Sequence, residues 1–144
     1  SIKVIPLGMS MDYTSDQFGS DIVKGFTFLA KHDTPYLVHC LEAKDRAGFA
    51  AMVLEALIGW SEEQIVSDYM MSYKNYYGIE PGTTKYDMIA EKNVKEMLRF
   101  VAGLESGASL EGVELQPIAE NYLIERGMSE EDVKTLEKKL EELP

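Results

Sequence analysis

A helix that is apolar nearly all the way round has to be buried, and residues 46–58 read as such a helix. Ala50, Ala51, Val53, Leu54, Leu57 and Ile58 leave it no broad polar stripe. Gly59 is placed to end it. Before it comes a short loop, and before the loop an apolar run, Tyr36-Leu37-Val38, leading into His39. The pattern predicts a buried strand over Tyr36–His39, a tight loop, and a helix opening at Arg46. The loop holds the only cysteine of the chain, Cys40, and Arg46 follows it by six residues.

That arrangement has a physical consequence. Amides in the first turn of a helix have no partner within it. A loop curling into such a helix adds more amides and makes a concave nest for an anion. A cysteine at the mouth of the nest has its thiolate stabilised. Arg46, on the first turn, can hold two oxygens of a tetrahedral dianion with its planar fork. A thiolate beneath a cradled phosphate is a plan for covalent phosphoryl transfer. The competing reading makes Cys40 a small buried hydrophobe and Arg46 a surface charge. The flanking His39, the strand before it, and Gly48 with its helix favour the nest.

The stretch His39-Cys40-Leu41-Glu42-Ala43-Lys44-Asp45-Arg46-Ala47-Gly48 resembles the His-Cys-x5-Arg loop of cysteine-dependent phosphatases. Its Lys44-Asp45-Arg46 run is similar to the bacterial tyrosine and dual-specificity phosphatase family, whose loop reads His-Cys-x-x-Gly-Lys-Asp-Arg-Thr-Gly. Asp68-Tyr69-Met70-Met71-Ser72 resembles that family's Asp-Tyr-Leu-Leu-Ser segment, and Tyr122 through Leu136 its C-terminal helices. The likeness runs from about Pro35 to the end. It implies a phosphatase-like α/β fold, a parallel sheet flanked by helices, and phosphomonoester hydrolysis through a cysteinyl-phosphate, with no metal or organic cofactor. Protein phosphotyrosine is the first substrate it suggests, then phosphoserine, phosphothreonine or phosphoinositides.

The resemblance assigns roles residue by residue. Cys40 is the nucleophile and Arg46 the phosphate ligand, and the backbone of Leu41, Glu42, Ala43, Lys44, Asp45 and Arg46 forms the cradle. Asp45 is the candidate general acid, because the leaving oxygen must be protonated. Asp12 and Asp16 are the alternatives, since many such enzymes draw the acid from an upstream loop. Lys44 adds positive charge at the pocket mouth, which suits multiply charged phosphates. His39 supports the loop. Two positions depart from the family pattern: Ala43 replaces a glycine, and Ala47 replaces a threonine or serine whose hydroxyl would help the sulfur leave. They motivate a second reading, a pseudophosphatase that binds phosphate with impaired turnover. Sulfur transfer is a third, disfavoured by the arginine spacing.

Charge narrows the partners. The 144-residue chain carries a net charge of −11, which argues against nucleic acid and against simple docking to anionic membranes. No apolar run approaches the ~20 residues of a membrane span. One cysteine cannot form an internal disulfide. That suits a reducing, cytoplasmic setting and leaves a secreted one open.

Taken in order, Ile2–Leu7 reads as a short strand broken near Pro6. Gly8–Ser15 reads as a polar loop, and Asp16–Ala30 as a helix capped by Ser15 or Asp16. Gly19 and Gly25 weaken that helix or let something pack closely against it. Ser61-Glu62-Glu63-Gln64 is a capping box opening a helix over Glu62–Tyr76. A helix over Lys85–Ala102 follows, then a Gly/Ser connection over Gly103–Gly112. Helices over Leu115–Glu125 and Ser129–Leu143 complete the chain. Tyr69, Tyr73, Tyr76 and Tyr77 share one helix and are expected in the core and its rim. Two strands and about six helices are too few strands for a buried parallel sheet. The expectation is therefore a single phosphatase-like unit (residues 36–60 as strand, loop and helix, 61–144 as a helical part) belonging to a larger domain. A preceding segment or a second copy in a homodimer would complete the sheet.

Overall fold

The described residues form seven helices: α1 Asp16–Ala30, α2 Arg46–Leu57, α3 Glu62–Tyr77, α4 Thr84–Lys92, α5 Val94–Val101, α6 Leu115–Glu125 and α7 Glu130–Glu141. They belong to a computed structural model that describes residues 7–33 and 46–143. No strand occurs among the described residues. The expected strands over 2–7 and 36–39 lie outside them, apart from Leu7, which is not in a strand.

The caps explain why most boundaries were legible. Ser15, rather than Asp16, caps α1 and accepts a hydrogen bond from the Phe18 amide. Ser61 and Gln64 form the reciprocal capping box of α3. Ser129 caps α7, accepting from the Asp132 amide. At the other end of α1, Lys139 of α7 donates to the carbonyls of Ala30 (2.7 Å) and His32 (2.9 Å). A cation there satisfies carbonyls that have no partner in the helix and opposes their partial negative charge.

The expected single helix over 85–102 is two helices. Asn93, at φ −116° and ψ −88°, breaks it. Its amide nitrogen Nδ2 donates to the Ile89 carbonyl at 2.8 Å, so the side chain takes up a carbonyl at the end of α4. On α5, Arg99 is only 5% exposed. Arg99 pairs with Glu91 and Glu96 and donates through Nε to the Ala108 carbonyl at 2.6 Å. Glu96 also accepts from the Gly107 amide at 2.9 Å. The Gly/Ser connection is thus fastened to a buried arginine.

Around α2 the packing is as its composition demands. Phe49, Val53 and Leu57 are fully buried, and the helix packs on α6, α3 and α5. Next to it, α1 packs on α7 and α6. Gly19 of α1 is a point of close approach. A Cβ there would lie 2.6 Å from Cδ of Arg126, whose guanidinium stacks 3.9 Å over the Tyr122 ring. The tyrosine row divides: Tyr69 is buried and Tyr73 packs on the core, whereas Tyr76 and Tyr77 are exposed.

Two carboxyl pairs join helices. Burial, aided by Asp68 of α3, pushes the pKa of Glu55 on α2 up to about 9. Glu137 of α7 is buried and receives a hydrogen bond from Gln116, which also donates to the Leu57 carbonyl at the end of α2. Burial and the neighbouring Glu120 raise Glu137 from 4.5 to about 7, while Lys134 sits 2.7 Å from Glu120.

Two outcomes follow from these contacts. Gly19→Ala should destabilise the protein by about 1–3 kcal/mol despite its better helix propensity. In an Arg126→Ala background the same change should become neutral or stabilising, as chemical denaturation of the four variants would reveal. The folded state keeps a proton on Glu137 that the unfolded chain has released, so stability should fall as pH rises from about 4.5 to 7. Glu137→Gln should make that slope shallower in melts recorded between pH 4 and pH 8, leaving the share that Glu55 contributes by the same linkage.

Candidate active site

Arg46 is the first residue of α2, as its sequence position implied. Its Nη1 donates to the Met9 carbonyl at 3.0 Å. Its Nε is shielded from solvent and has no hydrogen-bond partner. One corner of the guanidinium is thus held, while one buried N–H has no partner. Two adjacent N–H groups on one edge of the fork match two oxygens of a phosphate or carboxylate.

The segment that supplies the Met9 carbonyl runs across the start of α2. Leu7 lies against Gly25 of α1, where a Cβ would come within 2.9 Å of Leu7 Cδ1. The Tyr13 ring packs 5.5 Å from Phe49 and 5.6 Å, edge-on, from Phe100. Asp12 makes a tight turn, accepting from the Thr14 amide (3.0 Å) and hydroxyl (2.6 Å). Its main-chain carbonyl accepts from Ser15, whose side chain then caps α1.

This geometry bears on the three candidate acids. The Thr14 hydroxyl and amide hold the Asp12 carboxyl below its ordinary pKa. The same two hydrogen bonds make Asp12 a turn former. Asp16 is exposed in the first turn of α1. Asp45 lies outside the described residues, as do His39, Cys40, Leu41, Glu42, Ala43 and Lys44. Ala47, next to Arg46, is buried in α2. His32 lies with Nδ1 2.7 Å from the Phe28 carbonyl and stacks on the Phe28 ring. Among the described residues, no three His, Cys, Asp or Glu side chains are grouped to hold a metal ion, and no helix is long and apolar enough to cross a membrane.

Sequence reasoning missed Met9 and Tyr13. Met9 acts through its backbone, which leaves no trace in residue type. Tyr13 is a lone aromatic in a polar stretch, and nothing at that level says which rings it meets.

Residues 9–142 match the model of the tyrosine phosphatase family. The chain belongs to the tyrosine phosphatase family. The family match begins at Met9, so it takes in the crossing segment and α1, which the expected resemblance from about Pro35 did not. A Cupriavidus necator protein named "putative tyrosine-protein phosphatase" is 40% identical over 48 residues, covering 33% of this chain and 18% of that relative. The chain therefore matches less than a fifth of that relative's length. No solved structure gives a significant match.

Proposed function

We propose that this member of the tyrosine phosphatase family hydrolyses phosphomonoesters through a cysteinyl-phosphate on Cys40, with phosphotyrosine in proteins as the first substrate class. The observation that carries the reading is Arg46: Nη1 is tethered to Met9 while the buried Nε has no partner. The family match and the His39-to-Arg46 sequence support the remainder.

In this scheme the Cys40 thiolate attacks phosphorus, a P–S bond forms and the P–O bond to the leaving group breaks. Asp45 gives its proton to the departing oxygen. The non-bridging oxygens are held by the amides of residues 41–46 and by the unspent edge of Arg46, which meet the charge of the transition state. Water then attacks the cysteinyl-phosphate and passes a proton to Asp45. The P–S bond breaks, returning inorganic phosphate and the thiolate. His39 steadies the loop and Lys44 adds charge at the mouth. Every step is acid–base or nucleophilic, so the scheme invokes no cofactor.

Cys40→Ser should reduce p-nitrophenyl phosphate hydrolysis to background while tungstate still binds. Full activity in that variant would remove the mechanism. Asp45→Asn should lower kcat by about 10²–10⁴ and abolish the basic limb of the pH–rate profile. Asp12→Asn, which preserves the turn with Thr14, should leave that limb in place. If the Asp12 variant loses the limb and the Asp45 variant keeps it, the general acid is Asp12.

A further inference from the structure

The contacts of the segment before α1 extend beyond what a connector needs. It is fastened at four successive points: Leu7 against Gly25, the Met9 carbonyl on Arg46, the Tyr13 ring between Phe49 and Phe100, and Ser15 as the α1 cap. Between the first two lies Gly8 at φ +54°, with open space where a Cβ would stand. Glycine is needed there for backbone conformation and not for room. That turn redirects the chain immediately before the carbonyl that meets Arg46.

Arginine has four side-chain torsions and is costly to order. An arginine that must present one edge to a tetrahedral anion gains affinity if that ordering is complete before the anion arrives. Here one Nη corner is occupied by a carbonyl whose own position is set by rings one turn further along α2. Tyr13 meets Phe49, three residues after Arg46 on the same helix. The strap and the arginine are therefore referenced to one rigid element.

We propose that residues 7–15 form a positioning strap for Arg46, in which Gly8 aims the Met9 carbonyl and Tyr13 pins the strap to α2, so that the strap sets the protein's affinity for tetrahedral oxyanions. This rests on the phosphatase reading above. Met9 and Tyr13 are positioning residues, acting through the guanidinium and not on the substrate.

Two measurements test it. The first is 15N relaxation of the Arg46 Nε–H, which reports whether the guanidinium is held regardless of any activity. The second is tungstate affinity by calorimetry, alongside KM and kcat for p-nitrophenyl phosphate. Tyr13→Ala should mobilise Arg46 and weaken tungstate binding by about ten- to a hundredfold, raising KM in parallel. Tyr13→Phe, which keeps the ring contacts, should match wild type, and Gly8→Ala should act in the direction of Tyr13→Ala, more weakly. Val133→Ala, a cavity in buried α7 core, should lower stability while leaving Arg46 order and tungstate affinity intact. The proposal is overturned if Tyr13→Ala leaves Arg46 as ordered as in wild type, or if Val133→Ala weakens binding equally. A wild-type protein that binds no tungstate would sink the phosphatase reading instead, and the relaxation measurement would still decide the strap.

Discussion

Phe49 is the point on which both fold and site depend. It is fully buried, and three aromatic rings from separate parts of the chain meet it: Phe18 of α1 at 5.0 Å, edge-on, Tyr13 of the strap at 5.5 Å, and Tyr122 of α6 at 5.9 Å. Each such pair contributes about 0.5–1.5 kcal/mol beyond the area it buries. The larger effect is geometric. One turn before Phe49 stands Arg46, so the contacts that bury α2 also fix where the guanidinium begins. The strap, α1 and α6 are located relative to the same ring.

A chain with 25 acidic and 14 basic side chains cannot pair every carboxylate with a cation. Buried positions show how this is managed. Arg99 serves two glutamates and a loop carbonyl at once. Elsewhere burial favours the protonated carboxyl, as at Glu55, with Asp68 adding to the effect. Around Glu137, Glu120 stays ionised beside Lys134, consistent with its lowered pKa. Removing a charge from water without a partner is expensive, whereas a carboxyl that keeps its proton avoids most of that cost. These groups lie at helix–helix contacts, which makes the packing of α2, α6 and α7 responsive to pH in a way that apolar contacts are not.

Local chemistry was legible wherever it was decided locally. Ser15, Ser61 and Ser129 announce helix starts because a hydroxyl can satisfy a nearby amide whatever the rest of the chain does. The burial of α2 was legible because a helix without a polar face has no alternative. The break at Asn93 was not, since it lies in that residue's backbone angles, which an asparagine within a helical pattern does not announce. Nor was the tethering of the Gly/Ser connection, which depends on Arg99 turning inward from an otherwise ordinary helix. The tyrosines on α3 show the boundary: their spacing fixes a shared helix, but only packing divides buried Tyr69 from exposed Tyr76.

The candidate site divides along the same line. From sequence alone came the order of cysteine, loop and arginine, the helix that follows, and Arg46 at its head, because these depend on neighbours along the chain. The tertiary structure decided which donors of that arginine are already engaged, and that a carbonyl 37 residues away engages one of them. It also placed the Asp12 carboxyl in a turn, on the amide and hydroxyl of Thr14. Such facts depend on groups brought together across the core, and the pattern of residue types along one strand of chain does not encode the distance between them.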